Sequence, residues 1–511
     1  MSKLILPKAT TAAREAATPV AGEIFYDKDK QAVYFGDGAT PGGVSLKAAD
    51  LSSAYVYGID HDTGVATAAS ACTRVVLNHD HDQEGDELRY TVVDSFAQMP
   101  AHNFRRCVMS DLANRTVAYY LNASDSTKKE NGQAADLTGG DGDVMVEIPV
   151  CHYRIDTYTD ASDHVHKVYL VSNKPFTGSA IHRFFYTSDG GATARVQYVG
   201  AFRDVLCDSD GVIKAQSAED TPASYASGNK FRSVAGARPH GNTTRANYRT
   251  GSVANGGTNV NAMFGQFLMM MVAIDGCTFD TQAGISVGYS QLSQFSYAAV
   301  RKTGRTAIFG NGTGEILADE TESTGADLDL LTMKDGGTIW NSAAQSDASL
   351  KVVQFSYRGI EDPFGSQWCF EDGIQKYQNA TENDFSQSGY WCTNDTSKYS
   401  LCDSDLGAGA QGGVFPEAGY TGASYVWVSH AFPKTAGYVK EFDPLTFFAL
   451  SVGGASNTYL CDYIYNDGNA GARVVYRGGT ANNGAYDGGG CVFVRSGISD
   501  AAAALGGRLA A

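Results

Sequence analysis

The segment Arg473–Ala511, RVVYRGGTANNGAYDGGGCVFVRSGISDAAAALGGRLAA, decides how this chain of 511 residues is interpreted. It begins with the strand-like run Val474-Val475-Tyr476 and continues through Gly, Asn, Ala and Ser with little hydrophobic period. Such low-complexity composition is usual in disordered tails. However, Tyr486 and the run Val492-Phe493-Val494 lie inside it. We therefore predict that the segment is a folded surface that displays side chains.

A strand with one buried face places alternate residues in the core and in solvent. The segment fits this pattern if its valines are buried and the residues between them point outward. The closing GGRLAA is then the strand that seals the fold. The predicted buried positions are Val474, Val475, Val492 and Val494, followed by Leu505 and Leu509 as a pair.

The residue types between the valines favour a binding surface. Tyr provides a large contact area at low entropic cost, while Ser, Asn and Gly provide adaptable hydrogen bonds. A rigid scaffold tolerates changes at such positions because stability resides in the core. An exposed Phe493 is best explained as a binding contact. The candidate binding residues are Tyr459, Asp462, Tyr463, Tyr465, Arg477, Thr480, Ala481, Asn482, Tyr486, Asp487, Cys491, Phe493, Arg495 and Ser496.

Composition indicates an α+β chain that is mostly β. With 58 Gly and 28 Tyr but only 12 Pro, the sequence suits many short strands and glycine-bearing loops. Hydrophobic residues make up 43%, enough for a sizeable core. The net charge of −17 argues against a nucleic-acid partner, since a general phosphate-binding face needs clustered Lys and Arg.

Membrane insertion, a signal peptide and a disulfide framework are not expected. The longest apolar run, Met263–Cys277, is too short to span a bilayer and is predicted to be a buried helix or strand with a Met-rich core face. The N-terminus lacks a signal-peptide pattern, which indicates synthesis in the cytoplasm. The ten cysteines show no C-x-x-C spacing and are predicted to be mostly small buried apolar residues.

No metal ion or other cofactor is predicted. The run HDHDQEGDE at 79–87 is interpreted as a solvated acidic loop. The D-x-D pairs in CDSDGV (207–212) and LCDSDLG (401–407) are interpreted as turns, because calcium loops need more oxygen ligands than a D-x-D pair provides. A structural calcium ion remains an open alternative.

The chain is predicted to have three parts. Residues 1–50 form a small hairpin unit, 51–98 an intermediate β-rich region, and 99–511 one large α+β domain with glycine-rich loops. The first unit is too small for a core of its own and contains no cysteine or metal cluster. Oligomerisation is the remaining way to stabilise it.

The stretch TTAAREAATPVAGEIFYDKDKQAVYFGDGATPGG resembles the N-terminal domain of phage tail-fibre and tropism-determinant proteins. The residues that carry the resemblance are Glu23-Ile24, Asp27, Asp29, Val33, Gly36-Asp37-Gly38, Thr40 and Gly42-Gly43. The resemblance implies a β-prism-like unit built from three chains, which joins a homotrimer to other tail proteins. It covers about a tenth of the chain.

The large region resembles the C-type-lectin-like domain of phage receptor-binding proteins, which is related in fold to the formylglycine-generating enzymes. The segments that carry the resemblance are GDVMVEIPVCHYR (142–154), NKPFTGSAIHRFF (173–185), ARVQYVGAF (194–202), FSYRGIEDPFGSQWCFEDGI (355–374) and the terminal segment. One departure is Ala481, where the family often has Trp. The resemblance implies a virion protein that adsorbs to a bacterial cell-surface receptor. Some members are targets of diversity-generating retroelements, and the terminal composition is compatible with such variation.

We predict that the chain is not an enzyme. The formylglycine-generating reaction needs two neighbouring cysteines, whereas the terminal stretch has only Cys491, and Cys461 lies thirty positions earlier. A depolymerase acting on surface polysaccharide needs two carboxylates in a cleft. The candidates Glu361, Asp362, Glu371 and Asp372 are interpreted as groups that hydrogen-bond in turns. A tail-tip depolymerase and a purely structural tail protein remain the alternatives.

Overall fold

The computed structural model describes residues 55–78, 89–96, 103–186, 195–214, 221–286, 302–307, 354–379, 388–409 and 426–511, together with short pieces of 8–46 and of 288–339. In these residues the chain is mostly β, as predicted. Strands of two to eight residues alternate with glycine-bearing turns, and a few helices lie between them.

The predicted N-terminal hairpin is present within a small four-stranded sheet. Ile24–Asp27 pairs antiparallel with Ala32–Phe35, with Phe25 opposite Tyr34. The strands of this sheet, in spatial order, are Lys8–Ala9, Ile24–Asp27, Ala32–Phe35 and Val44–Leu46.

A six-stranded sheet joins the predicted intermediate region to the large one. Tyr57–Asp62 pairs antiparallel with Val165–Ser172 over six residue pairs. Gly58 permits the close approach, since a Cβ there would lie 1.7 Å from the Tyr169 carbonyl oxygen. The spatial order is Ala180–Ile181, His152–Thr159, Val165–Ser172, Tyr57–Asp62, Cys72–Leu77 and Tyr90–Val92. Residues on both sides of the predicted boundary at 98 therefore share one sheet.

The end of the chain is built into another six-stranded sheet, named here the closing sheet. Its strands, in spatial order, are Thr258–Asn259, Leu509–Ala510, Gln197–Gly200, Asp143–Ile148, Arg105–Asp111 and Thr116–Tyr120. Leu505 and Leu509 are buried. The buried Arg508 donates hydrogen bonds to the carbonyls of Gly200 at 2.7 Å and Glu361 at 2.6 Å. The prediction of a sealing last strand with a buried leucine pair is confirmed.

The Met-rich run forms the central helix Ala262–Gly276, whose residues through Ile274 are all buried. The side-chain oxygen of Asn261 accepts from the Phe264 N–H at 3.1 Å and so caps the start. The helix ends at Cys277, which adopts a left-handed conformation with φ 54°. A helix apolar on every side is stable only when surrounded by protein. The prediction of a buried element is confirmed.

The predicted surface segment belongs to a seven-stranded sheet, named here the terminal sheet. Its strands, in spatial order, are Ala449–Val452, Gly437–Phe442, Tyr463–Tyr465, Val492–Phe493, Tyr476–Arg477, Trp368–Phe370 and Leu505–Gly506. One face packs on the main core through Ile464, Val475 and Val492. The other face carries a separate cluster that includes Phe370 and Tyr476. Both faces of this sheet are therefore largely covered by protein.

The remaining elements connect these sheets. The other strands form sheets of four strands (Val426–Ser429, Gly389–Cys392, Ile374–Gln378, Gly471–Arg473), three strands (Thr313–Ile316, Phe355–Tyr357, Ile360–Glu361) and two strands (Val205–Cys207 with Lys230–Arg232; Thr332–Lys334 with Gly337–Ile339). Among the described residues, further helices are Ala68–Ala71, Arg245–Ala254 and Thr281–Gly284, and 3-10 turns lie at Arg183–Phe185, Thr396–Asp403 and Gly484–Tyr486.

Candidate functional site

The structure divides the fourteen candidate binding residues by exposure. Asn482, Tyr486 and Arg495 are exposed. Tyr459, Tyr463, Tyr465, Phe493 and Ser496 are half-buried. Asp462, Arg477, Thr480, Ala481, Asp487 and Cys491 are buried. The prediction that the segment between the valines points outward is therefore wrong for Arg477, Thr480, Ala481, Asp487 and Cys491, and Asp462 is buried beside them. All four scaffold valines, Val474, Val475, Val492 and Val494, are buried as predicted.

Arg477 is buried because strand alternation turns it toward the main core. Its Nε donates to the Glu371 carboxylate at 2.5 Å, and its guanidinium carbon lies 5.6 Å from the centre of the Phe448 ring. Gly265 of the central helix leaves room for the pair, since a Cβ there would lie 2.1 Å from the Glu371 carboxylate. The arginine thus joins the terminal sheet to the central helix and does not meet solvent.

Cys491 and Ala481 are buried because the second face of the sheet is covered. Cys491 packs in the same cluster as Trp368 and Tyr476. The N–H of Ala481, at the place where the family often has Trp, donates to the Ser366 carbonyl at 3.1 Å. Leu206, Phe231 and Tyr248 complete the cluster around Cys491, and they lie far earlier in the chain.

Asp462 and Asp487 are held inside the protein by glycine-rich turns. Asp462 accepts from the Gly490 N–H at 2.7 Å, and Asp487 accepts from the Thr480 N–H at 3.2 Å. Burial raises the pKa of both carboxyls well above the usual range. At Gly479, φ is 79° and a Cβ would lie 1.5 Å from Asp487 Oδ1. These acids shape the loop and are not available to a ligand.

The partly exposed aromatic residues converge on one surface, named here the tyrosine face. Its members are Tyr438, Tyr463, Tyr465, Tyr486, Phe493 and Arg495. Tyr463 lies at its centre, with ring-centre distances of 4.5 Å to Tyr486, 4.7 Å to Tyr465 and 5.3 Å to Tyr438. The Tyr465 ring in turn stacks on Phe493 at 5.6 Å.

Strand register explains why these rings meet. Tyr438 lies opposite Tyr463 in one strand pair, and Tyr465 lies opposite Phe493 in the next. Residues opposite each other on one face of a sheet bring their side chains into contact. The turn Gly484–Tyr486 then places Tyr486 over this row, with 41% of its side chain exposed.

Two polar groups fix the edge of the tyrosine face. The Asn483 amide donates to the Tyr465 hydroxyl at 2.7 Å. The Arg495 guanidinium carbon lies 5.0 Å from the centre of the Phe493 ring and 5.8 Å from that of Tyr465, which is cation–π distance. Burial raises the pKa of Tyr438 and of Tyr465, so both hydroxyls stay protonated and able to donate. The face is aromatic, neutral apart from one arginine, and rich in hydroxyls.

The sequence interpretation missed Tyr438 and Asn483. Tyr438 lies in Gly437–Phe442, where the alternation Tyr438/Val439 is the same period-two signal used for the terminal segment. The local sequence does not place that strand at the surface, because its pairing with Tyr463–Tyr465 depends on residues distant in sequence. The other candidates lie apart from the ring row: the Tyr459 N–H donates to the Ala66 carbonyl at 2.8 Å, and the Ser496 carbonyl accepts from Val474 at 3.1 Å.

The carboxylates considered for hydrolysis are all buried and hydrogen-bonded. Glu361 accepts from the Gly304 N–H at 2.9 Å and the Thr306 N–H at 2.8 Å. Asp362 accepts from the Gln354 amide at 2.9 Å, Glu371 pairs with Arg477, and Asp372 pairs with Arg249 at 2.7 Å. They are structural groups, as predicted, but most of their bonds reach residues distant in sequence and do not lie within turns.

The turn interpretation also holds for the first D-x-D pair. One Asp208 oxygen accepts from the N–H groups of Asp210 and Val212, each at 2.9 Å. In the part of the chain that the structure describes, no group of three or more His, Cys, Asp or Glu side chains is placed to hold a metal ion. The acidic run at 79–87 lies outside the described residues. All ten cysteines are free and most are buried, as predicted.

Over the described ranges, no helix has both the length and the apolar character needed to cross a membrane.

Comparisons with known proteins give structural neighbours at low similarity. No protein-family model and no curated protein matches the sequence. Similar solved structures include the P3c and U1 variants of the Major Tropism Determinant, each with a TM-score of 0.23, at 13% and 12% identity, covering 99% of this chain and 98% of that chain. The I1 variant has a TM-score of 0.22 at 13% identity. Scores at this level do not establish a common fold.

Proposed function

We propose that this chain is the host-recognition protein of a phage tail, which adsorbs to a bacterial cell-surface receptor through the tyrosine face. The observation that carries the proposal is the contiguous row of Tyr438, Tyr463, Tyr465 and Phe493, completed by the exposed Tyr486. Large aromatic side chains that remain partly exposed on a rigid scaffold are typical of binding sites.

The construction of the terminal sheet supports a recognition role. Because Val475 and Val492 pack on the main core and Tyr476 and Cys491 pack in the second cluster, the rings lie on a support that is packed on both sides. A preorganised surface loses less side-chain entropy when it binds. The sequence resemblance to phage receptor-binding proteins agrees with this role, in a virion tail fibre or tail tip.

The proposal includes a homotrimer and a C-type-lectin-like large domain, with the N-terminal unit at 1–50 joining three chains to the tail. Three copies of the tyrosine face convert weak single contacts into useful avidity. Diversification of the terminal segment is also proposed, and it is restricted to positions that tolerate change. These are the exposed or half-buried Asn482, Tyr486, Phe493, Arg495 and Ser496. An adenine-rich imperfect copy of the terminal coding stretch near the gene would support it.

The proposal assigns binding and no reaction to this chain. A depolymerase is less well supported because the carboxylates named for it, Glu361, Asp362, Glu371 and Asp372, are committed to buried hydrogen bonds. Two carboxylates that act on a glycosidic bond must reach the substrate and flank it.

The direct test applies fluorescently labelled full-length protein to a panel of bacterial strains. We expect saturable binding to a subset of strains, no release of reducing sugar, and the mass of a trimer in light scattering. Equal binding to all strains, or binding to none, would contradict the recognition role. Release of reducing sugar would favour the depolymerase, and the mass of a monomer would remove the trimer.

A further inference from the structure

A polar cavity of about 180 Å³ opens at the edge of the closing sheet. Its wall includes residues of the edge strand Thr258–Asn259 and of the two strands next to it, Leu509–Ala510 and Gln197–Gly200. It shares no residue with the tyrosine face. Its volume is below the roughly 300 Å³ at which pockets for drug-sized ligands begin, so it suits a single small group.

Two arginines line this cavity without an acidic partner. Arg115 adopts φ 55°, donates to the Val196 carbonyl, and lies with its guanidinium carbon 5.0 Å from the centre of the Tyr198 ring. Its Nη1 is buried and has no hydrogen-bond partner. Arg195 is exposed at the same cavity. Among the described residues neither arginine forms an ion pair, although the whole chain has 56 acidic against 39 basic residues.

The positive charges of Arg115 and Arg195 repel each other. Burial and the nearby Arg195 lower the pKa of Arg115 to about 10. Bringing like charges together in a partly buried site is unfavourable, and an anion placed between them reverses the effect. Arginine is also the side chain best suited to bind a carboxylate or phosphate through two parallel hydrogen bonds.

Two amides in the cavity wall have unused hydrogen-bonding atoms. Asn259 accepts from the Arg508 N–H at 3.2 Å through Oδ1, which leaves its buried Nδ2 without a partner. The buried Oδ1 of Asn394 also lacks a partner among the described residues. Buried polar atoms are nearly always hydrogen-bonded. An unused donor and an unused acceptor in one cavity wall, together with two arginines, match a ligand that carries both an anionic group and hydroxyls.

We propose that this cavity binds one anionic sugar unit, a hydroxylated ring that carries a carboxylate or a phosphate. Arg115 and Arg195 bind the anionic group, while Asn259 and Asn394 bind ring hydroxyls. The site is independent of the tyrosine face and adds a recognition element of different chemistry.

Isothermal titration of the full-length protein with glucuronate, glucose 6-phosphate and glucose tests the proposal. We expect one or both of the anionic sugars to bind at least about tenfold more tightly than glucose, since one charge-assisted hydrogen bond contributes that much. The anionic sugar that binds identifies carboxylate or phosphate as the natural group. Added salt should weaken the binding.

The variants Arg115→Asn and Arg195→Gln should each reduce the affinity by about tenfold or more. Asparagine tolerates the positive φ at position 115, and Arg195 is exposed, so neither change should prevent folding. The matched control is Arg105→Gln, because Arg105 is a partly exposed arginine that pairs with Glu130 at 2.7 Å on the same sheet.

Equal binding of glucose, failure of both anionic sugars to bind, or wild-type affinity in both arginine variants would overturn the proposal. Tyr486→Ser separates this site from the tyrosine face. If that variant loses strain binding but keeps its affinity for the anionic sugar, both sites stand. If the wild-type protein binds no strain while it still binds the sugar, only the role of the tyrosine face fails.

Discussion

Replacing Arg477 by alanine should destabilise the protein, because the change leaves a carboxylate buried without its partner. The side chains of Arg477 and Glu371 are only 7% and 3% exposed, so solvent screens their interaction little. Removing one member of a buried ion pair costs about 3–5 kcal/mol of the free energy of unfolding. The Glu371 Oε2 atom has no hydrogen-bond partner among the described residues, so little remains to hold the charge.

The size of the effect should depend on pH. Burial raises the pKa of Glu371 even with Arg477 present, and loss of the arginine raises it further. A carboxyl whose pKa is raised in the folded state stabilises the fold most when it is protonated. Its contribution to the free energy of unfolding is therefore lost as pH rises. We therefore expect the destabilisation by Arg477→Ala to be smaller at pH 5 than at pH 8.

Urea unfolding followed by tryptophan fluorescence measures the effect, since Trp368 lies in the terminal sheet. The matched control is Arg495→Ala, an exposed arginine of the same segment, which should stay within about 0.5 kcal/mol of wild type. The double variant Glu371→Leu/Arg477→Met, which removes both charges, should recover most of the loss. If Arg477→Ala kept wild-type stability but lost binding, Arg477 would not be buried in an ion pair and would instead point outward toward a receptor.

Three further changes test other parts of the structure. Burial raises the pKa of Asp204 to about 7, so the contribution of this carboxyl to stability is lost as pH rises from about 4 toward 7. The variant Asp204→Asn should therefore flatten the fall in melting temperature between pH 5 and 8. An unchanged profile would contradict the raised pKa. Gly479→Ala places a Cβ 1.5 Å from a carboxylate oxygen at a residue with φ 79°. In urea unfolding it should therefore lower the free energy of unfolding more than Gly484→Ala, because Gly484 also has a positive φ but has nothing within 4 Å. Equal losses would show that the carboxylate moves away freely. Cys491→Tyr should overpack a fully buried site and lower the melting temperature, whereas Asn482→Tyr on the surface should not, and a stable Cys491→Tyr protein would place that residue outside the core.

Much of the scaffold could be predicted from the sequence because the signal was local. Val492 and Val494 alternate with their neighbours, and both are buried. The fifteen-residue apolar run that contains three consecutive methionines forms a buried helix. Leu505 and Leu509 flank a Gly-Gly-Arg stretch. They are the only large apolar residues between positions 501 and 511, which explains why both are buried.

The exposure of the binding residues could not be predicted, because it depends on distant pairing. Period-two alternation indicates which residues share a face of the sheet, but it does not show whether the second face is exposed to solvent. Leu206, Phe231 and Tyr248, from elements far earlier in the chain, pack on the second face in the cluster that contains Cys491. Arg477 has a charged side chain that local pattern assigns to solvent, and only its pairing with Glu371 allows it inside.

The central claim, that the tyrosine face recognises the receptor, is tested most directly by one matched pair of variants. Tyr486 is 41% exposed on the tyrosine face, whereas Tyr158 is 37% exposed on a different sheet. In a cell-binding titration on a strain that the wild-type protein binds, Tyr486→Ser should weaken binding by about thirtyfold, as expected for an aromatic hot spot worth about 2 kcal/mol. Tyr158→Ser should leave it unchanged. Equal affinity of the two variants would contradict the account.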